Sequence, residues 1–129
     1  MIIGLGSDIV SVKRIRKILE ENRDSFLKRI LSPGELEFFS NTAITPEFLA
    51  GRWAAKEACA KALGCGFGKD CAIGDITILR EKSSHASGRP LLTLSGAGKE
   101  KAESLGVRNI HVSISHEKEF AFATVLLEG

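Results

Sequence analysis

The stretch TPEFLAGRWAAKEACAKALG, residues 45–64, predicts the best-formed helix of the chain. Thr45 is a favourable N-cap, and the proline after it is tolerated at the first helical position. Gly64 is a natural stop. Small residues, mostly alanine, fill much of the run between these signals. Such a helix can pack closely against a sheet.

Four charged side chains follow Gly51 in this alanine-rich run: Arg52, Lys56, Glu57 and Lys61. Because residues four apart share a helix face, Arg52 neighbours Lys56 and Glu57 neighbours Lys61. On a generic helix, Glu57 and Lys61 would form an exposed ion pair worth roughly a few tenths of a kcal/mol. The spacing alone therefore does not separate a solvated face from a functional one.

The flanking segments carry helix and strand signals in a definite order. Residues 1–10 are apolar and β-branched, which indicates a strand, and helical spacing of apolar residues follows over residues 12–31, with Asn22 as a candidate break. Ser32 and Glu35 form a capping-box pattern that predicts a short helix over residues 34–40. The remaining elements are a hairpin of strands 73–81 and 90–94, a polar helix 95–106, and a strand pair 109–116 and 119–127.

This order, with helices early and antiparallel pairs later, predicts an α+β fold. We expect a single compact domain over residues 1–129, in which an antiparallel sheet packs against the long alanine-rich helix. The length suits one domain with a real core.

Composition narrows the class of protein. With 43% apolar and 26% charged residues, the chain matches a folded globular domain, and no apolar run approaches the roughly 20 residues needed to span a bilayer. Three cysteines, six residues apart, fit neither a disulfide framework nor a zinc pattern, which favours reduced thiols. We therefore expect a cytoplasmic protein without a membrane partner.

The net charge of +2 hides a basic segment. Residues 11–31 hold seven basic and three acidic residues, so this segment carries +4 and the remainder −2. A basic helix on a near-neutral body suggests an acidic partner that docks on one face. The alternative is an ordinary solvated amphipathic helix.

Three further places hold polar groups that a core does not need. Asp8 lies near the end of an apolar strand, where a helix cap is the common explanation. In residues 112–116 (VSISH), strand alternation puts His116 on the apolar face and Ser115 on the other. Residues 87–90 (SGRP) are turn chemistry in which Arg89 could hold a phosphate, although a surface arginine is the default.

Taken together and in this order, these features resemble one family. Residues 6–10 (GSDIV), 48–58 (FLAGRWAAKEA) with Lys61 and Gly64, 88–90 (GRP), and 113–116 (SISH) match the 4'-phosphopantetheinyl transferases, of the small stand-alone type. The resemblance covers nearly the whole chain, and its most specific part is the W-A-A-K-E-A-x-x-K-A helix coupled to an N-terminal G-x-D. Trp53, where phenylalanine is common, and a somewhat long connection around residues 83–87 are the departures.

The resemblance implies transfer of the phosphopantetheine arm of coenzyme A to a serine of acyl carrier protein in fatty acid biosynthesis, with Mg²⁺ as cofactor. Asp8 and Glu57 match the metal ligands. Lys61 is expected on the pyrophosphate. Glu57, acting directly or through a metal-bound water, is the first choice of general base, before Asp8 acting through the metal. His116 is expected to orient phosphate or water. The expected coenzyme A contacts are Arg52, Lys56, Lys61, Gly88, Arg89, Pro90, Ser115 and His116.

The resemblance also implies a role for the basic helix: acyl carrier protein would dock on it, because the carrier proteins of such systems are acidic. We expect Arg14, Lys28 and Arg29 to supply the charge and Ile18 the apolar contact. Small members of the family are trimers with active sites between subunits, so a homotrimer is expected here.

Two other classes of function are weaker explanations of the same residues. A binding module for nucleic acid lacks aromatic residues interleaved with the basic ones, and it leaves Asp8 and Glu57 unexplained. A metal-dependent phosphoesterase would use the two carboxylates, but such sites usually bring more ligands, and the chain has three histidines. We therefore expect no nucleic-acid partner.

Overall fold

The computed structural model describes residues 1–40, 43–80 and 88–129, and its helices and strands follow the predicted order. The α+β fold is confirmed. In chain order the elements are β1 (Ile2–Ser11), α1 (Val12–Ile30), α2 (Pro33–Phe38), α3 (Pro46–Ala62), β2 (Ile76–Arg80), β3 (Pro90–Leu94), α4 (Gly96–Ser104), β4 (Asn109–His116) and β5 (Phe120–Glu128).

The strands form two antiparallel sheets rather than one. The larger sheet has the order β1-β5-β4, and the smaller pairs β2 with β3. In the larger sheet Asp8 lies opposite Ala123, and His116 lies opposite Ala121. Both polar side chains therefore belong to the sheet face that carries the buried alanines of β5.

Helix α3 packs on that face, as its small residues predicted, and two glycines of β1 make the contact close. A Cβ on Gly4 would lie 2.1 Å from the carbonyl oxygen of Ala62, and one on Gly6 would lie 2.1 Å from that of Ala58. Only hydrogen fits at these two positions. The close contact at these glycines fixes the distance between Asp8 and α3. Only the G-x-G spacing in the sequence could have indicated it.

Helix α1 packs against α3 and consists of two halves that meet at a kink. The side chain of Ser11 caps it by accepting a hydrogen bond from the Arg14 backbone, and Asn22 has non-helical dihedrals (φ −147°, ψ 54°), so the predicted break is present. After the kink, the Phe26 ring stacks on Trp53 of α3, with centroids 5.5 Å apart.

The smaller sheet begins later than predicted. Residues 73–75 form a 3₁₀ turn, because the Asp75 carboxylate accepts hydrogen bonds from the backbone of Ala72 and of Gly98. The expected connection at residues 83–87 lies outside the described residues. Cys59, Cys65 and Cys71 are free thiols. None of the described helices has the length and hydropathy of a membrane span.

Candidate active site

Asp8, Glu57 and Lys61 line one cavity of about 400 Å³, where β1 meets α3. The Lys61 ammonium donates to Asp8 Oδ1 at 2.9 Å and to the carbonyl oxygen of Ser7 at 3.1 Å. We call this the carboxylate cavity. Three of the residues that the sequence singled out therefore lie together, brought there by the glycine-mediated contact between β1 and α3.

The electrostatics of this cavity favour a cation. Burial, and next the negative charge of Asp8, raise the pKa of Glu57, while Lys61 and a hydrogen bond from the Trp53 side chain partly oppose the shift. The hydrogen bond with Asp8, and then its charge, raise the pKa of Lys61. Two carboxylates thus repel one another across a small space, and a positive charge between them would relieve the repulsion.

Helix α1 forms the outer wall of the carboxylate cavity. Arg14 and Ile18, two of the predicted docking residues, line it together with Ile15. Lys28 and Arg29 lie in the last turn of α1, beyond the kink, and are exposed. The basic helix therefore borders the cavity directly, and its exposed end extends away from it.

A second cavity of about 240 Å³ lies on another side of α3, and we call it the arginine cavity. Its lining includes Arg52 of α3, Arg80 at the end of β2, and His116 at the end of β4. Gly88 and Pro90 border it as well. A neighbouring cavity of about 430 Å³ shares Arg80 and His116.

The Arg52 side chain is the most unusual group in this cavity. It is 95% buried, since its exposed fraction is 5%, and its Nε and Nη2 atoms have no hydrogen-bond partner among the described residues. Its guanidinium lies 4.5 Å from the ring centre of Phe48, which holds it in place from one side. Burial lowers the pKa of Arg52 to about 10, so the group stays charged at neutral pH. Buried, charged donors without partners are costly, and an anion would satisfy them.

Among the described residues of one chain, the two cavities do not meet. Arg52 and Glu57 are five positions apart, which is roughly 140° around a helix, and Lys61 lies about 180° from Arg52. The lining residues of the carboxylate and arginine cavities do not overlap. The predicted coenzyme A contacts thus fall into two groups on opposite sides of α3.

Lys56 is not available for the phosphate contact that we expected of it. Its side chain has no exposed surface, and its ammonium donates to the carbonyl oxygens of Ile30 and Ile76 and to the carboxylate of Glu35. All three donors are used inside the core. The helix spacing placed Lys56 correctly on the face of Arg52, but that face is covered at Lys56 by α1, α2 and β2.

Two other predicted coenzyme A contacts, Ser115 and Arg89, lie at different places on the surface. Ser115 lies opposite Phe122 on the outer face of the larger sheet, away from His116. Arg89 is exposed beside Gly88 and Pro90, and its role as a ligand stays a prediction.

Two site residues were missed by the sequence analysis. Arg80 follows Ile76 and Ile78 at strand spacing, and this parity could have placed it on the same face as those buried residues. Trp53 was noted only as a departure from the family pattern, yet it lines the carboxylate cavity together with Glu57.

Asp8 and Glu57 could hold a metal ion only with help from other ligands. Within residues 1–40, 43–80 and 88–129, no group of three or more histidine, cysteine or carboxylate side chains is arranged for a metal. Mg²⁺ tolerates such a site, because it commonly takes one or two carboxylates and completes its shell with water and substrate phosphate. The donor set fits this ion.

Comparison with known proteins shows which family the chain matches. Residues 4–125 match the model of the 4'-phosphopantetheinyl transferase superfamily. The chain is 47% identical over 128 residues to a holo-[acyl-carrier-protein] synthase of Vibrio cholerae, covering 99% of this chain and 98% of the relative.

Solved structures agree with the sequence comparison. The holo-[acyl-carrier-protein] synthase of Neisseria meningitidis superposes with a TM-score of 0.88 at 36% identity, with full coverage of both chains. The Helicobacter pylori protein of the same name, in complex with coenzyme A, gives 0.79 at 37% identity over 96% of this chain and 99% of its own. The chain therefore belongs to the 4'-phosphopantetheinyl transferase superfamily, and within it to the holo-[acyl-carrier-protein] synthase group.

Proposed function

We propose that this chain transfers the 4'-phosphopantetheine group of coenzyme A to a serine of apo-acyl carrier protein. The products are holo-acyl carrier protein and adenosine 3',5'-bisphosphate. The observation that carries the proposal is the carboxylate cavity, in which Asp8, Glu57 and Lys61 converge beside the basic helix α1. This arrangement puts groups for phosphoryl chemistry next to a surface suited to an acidic protein.

Mg²⁺ is the proposed cofactor, held by Asp8 and Glu57. When bound, it would neutralise charge on the pyrophosphate of coenzyme A and so favour attack at phosphorus. Burial, and next the repulsion by Asp8, raise the pKa of Glu57, and both would be relieved by a cation at this place.

The side chains of the carboxylate cavity supply the remaining steps. Glu57 accepts the proton of the attacking serine hydroxyl, and burial and the charge of Asp8, which raise its pKa, make it a stronger base than an exposed carboxylate. Lys61 turns its ammonium from Asp8 toward the pyrophosphate and stabilises the charge that develops on the leaving 3',5'-bisphosphate. The exposed side chain of Lys61 supports this movement.

The arginine cavity is the proposed site for the adenosine 3'-phosphate of coenzyme A. The unpartnered donors of Arg52 support an anion here, and Arg80 and His116 add positive charge or hydrogen bonds. His116 orients the phosphate rather than taking the proton. Gly88, Arg89 and Pro90 would border the adenine ring.

We further propose that the active site forms between two copies of the chain in a homotrimer. One copy would contribute Asp8, Glu57 and Lys61, and its neighbour would contribute the arginine cavity, because the two groups lie on opposite sides of α3. The outer face of the larger sheet supports association. Its exposed apolar side chains are Leu5, Ile9, Phe120 and Phe122. Ser115 lies on this face and would reach the neighbouring copy.

The acidic carrier protein would dock on α1. Arg14 and Ile18 border the carboxylate cavity, so a partner bound there would bring its serine toward Glu57. Lys28 and Arg29 would extend the contact beyond the kink. The proposed context is fatty acid biosynthesis in the cytoplasm.

Intact-protein mass spectrometry tests the transfer. Apo-acyl carrier protein is incubated with this protein, coenzyme A and Mg²⁺, with a chelator in the control. We expect the carrier mass to rise by one phosphopantetheine, and only with free metal. An unchanged carrier mass with fatty-acid and polyketide carriers alike would overturn the proposal.

Sedimentation velocity of the same preparation tests the assembly. A trimer in solution is expected, and Phe122→Glu on the outer sheet face should dissociate it and abolish transfer. A fully active monomer would contradict the shared site.

A further inference from the structure

The buried pair of Glu35 and Lys56 joins four elements at a single point. Neither side chain has exposed surface. Lys56 donates to the carbonyl oxygens of Ile30 and Ile76, each at 2.7 Å. Besides Lys56, Glu35 accepts hydrogen bonds from the backbone of Ser32 at 2.8 Å and of Ile78 at 3.2 Å. The end of α1, the start of α2, strand β2 and helix α3 are therefore held together by charged groups.

The stability of the core alone does not explain a charged pair at this position. Replacing a buried ion pair by apolar residues of similar volume is often neutral or stabilising, whereas removing one partner is strongly destabilising. Nor does the carboxylate cavity use either side chain. The pair therefore calls for a second explanation, and its contacts on α1 indicate one.

Its lysine fixes the half of α1 that lies beyond the kink. Asn22 interrupts the helical hydrogen bonds, so the second half of α1 is not held rigidly by the first. Lys56 binds the carbonyl of Ile30, the last residue of that half. The turn just before it carries Lys28 and Arg29.

The same half of α1 is also linked to the proposed catalytic carboxylate, Glu57, through one intermediate side chain. Phe26, one turn before Ile30, stacks on Trp53 with its plane 21° from that of the indole. Trp53 in turn lines the carboxylate cavity together with Glu57, which lies one turn further along α3. Displacement of Ile30 would therefore move Phe26, and with it the Trp53 ring beside Glu57.

We propose that Glu35 and Lys56 are positioning residues that hold the second half of α1 against α3, so that carrier docking and the orientation of Glu57 are set together. This inference rests on the proposed function. It assigns to Lys56 a role that involves no contact with either substrate.

The test uses the full chain with both charges of the pair removed at once. Lys56→Met/Glu35→Gln keeps the volumes and leaves no unpaired buried charge, so it should fold. The control is Lys99→Met/Glu103→Gln, which removes the same two charges from the exposed surface of α4. Both variants are compared with wild type by steady-state transfer, in which carrier protein and coenzyme A are varied separately.

We expect the KM for the carrier protein to rise about fivefold or more in the Lys56 variant, while the KM for coenzyme A stays within about twofold. A merely structural role would lower the amount of folded enzyme, and thus the apparent kcat, without changing either KM. Unchanged KM values together with an active wild type would overturn the inference. An inactive wild type would instead overturn the proposed function.

Fluorescence gives a readout that does not need turnover. Trp53 is the only tryptophan of the chain, so its emission reports the contact with Phe26. A shift of the emission maximum in the Lys56 variant, absent in the α4 control, is expected, and identical spectra would contradict the coupling. Should the Lys56 variant not fold, Phe26→Leu breaks the same contact without changing a charge, and the same rise in carrier KM is expected of it.

Discussion

Helix α3 carries two lysines five residues apart, each paired with a carboxylate of another element, and the two pairs differ sharply in burial. In the pair of Lys61 and Asp8 the side chains are 55% and 20% exposed, and the ammonium lies 2.9 Å from the carboxylate in a cavity. In the pair of Lys56 and Glu35 both side chains are 0% exposed. The first pair is free to exchange partners with a substrate, whereas the second is fixed by backbone carbonyls.

The difference separates two roles of the charged side chains on α3: the proposed chemistry at Lys61, and the positioning of neighbouring elements at Lys56. An exposed pair is worth little to stability but can be rearranged at low cost. A buried pair is expensive to break, so it holds its neighbours in one arrangement. The predictions below separate these two roles.

Removal of Asp8 should have the largest effect on activity. Asp8→Ala deletes a proposed metal ligand and leaves Lys61 beside Glu57 alone, so transfer should fall by at least about 10³-fold with little change in stability. The measurement is carrier mass against time, with circular dichroism to monitor the fold. Asp70→Ala, at an exposed loop position, is the matched control and should keep wild-type activity. Substantial transfer by Asp8→Ala would contradict the proposed metal site.

Lys56→Met should have the largest effect on stability. It leaves the buried carboxylate of Glu35 without its ammonium, so the free energy of unfolding should drop by about 3–5 kcal/mol. Burial lowers the pKa of Lys56, and the charge of Glu35 opposes that shift, which indicates that the two side chains stabilise one another as ions. Urea unfolding measures the change. A loss below about 1 kcal/mol would show that the pair is not held as described.

The contrast between these two lysines also shows how far the sequence could predict the site. Thr45 and Gly64 marked the ends of α3. Helix spacing paired Glu57 with Lys61, and the family resemblance added Asp8. The three side chains line one cavity, and their catalytic roles stay predictions. Lys56 was assigned wrongly. Its helix face was predictable, but the cover of that face by Ile30 and Ile76 depends on contacts distant in sequence.

The division into two cavities was not predictable either. Strand parity oriented His116 toward the helix, but only the packed structure shows that α3 separates it from Glu57. The burial of Arg52, whose Nε and Nη2 have no hydrogen-bond partner among the described residues, likewise depends on the rings of Phe39 and Phe48, and the sequence did not predict these contacts.

Lys61→Met should reverse the behaviour of Lys56→Met. Stability should change little, because exposed ion pairs contribute little. Transfer should fall by roughly 10²-fold, since a cation near the leaving phosphate is lost. Urea unfolding and single-turnover transfer on the same sample separate the two effects. A stability loss without a loss of transfer would place Lys61 among the structural residues instead.

Arg14→Ala should have a moderate effect that depends on salt. Loss of one exposed charge at the edge of the carboxylate cavity should raise the carrier KM by roughly two- to fivefold. The effect should shrink at high ionic strength, where screening weakens the attraction of wild type as well. The comparison is made at low and high salt, with Lys99→Ala on α4 as the control. An effect independent of salt would indicate that Arg14 acts by packing.

The smallest expected effect is on the pH dependence of stability and concerns Glu57. Burial and the charge of Asp8 raise its pKa in the folded chain. A carboxyl of this kind stabilises the folded state fully below its unfolded pKa of ~4.3, and the contribution is lost as pH rises through the raised folded pKa. Glu57→Gln removes this loss, so the stability of the variant relative to wild type should increase with pH from about 4 upward.

Urea unfolding at a series of pH values measures this difference, with Glu100→Gln on α4 as the control that should show no trend. Lys61 and Trp53 oppose the shift in Glu57. Lys61→Met should therefore raise the pKa of Glu57 further, so that the loss of stability caused by ionisation of Glu57 continues to higher pH. A relative stability of Glu57→Gln that falls with pH would mean that Lys61 and Trp53 outweigh burial, and that Glu57 is held as a permanent anion rather than poised to take a proton.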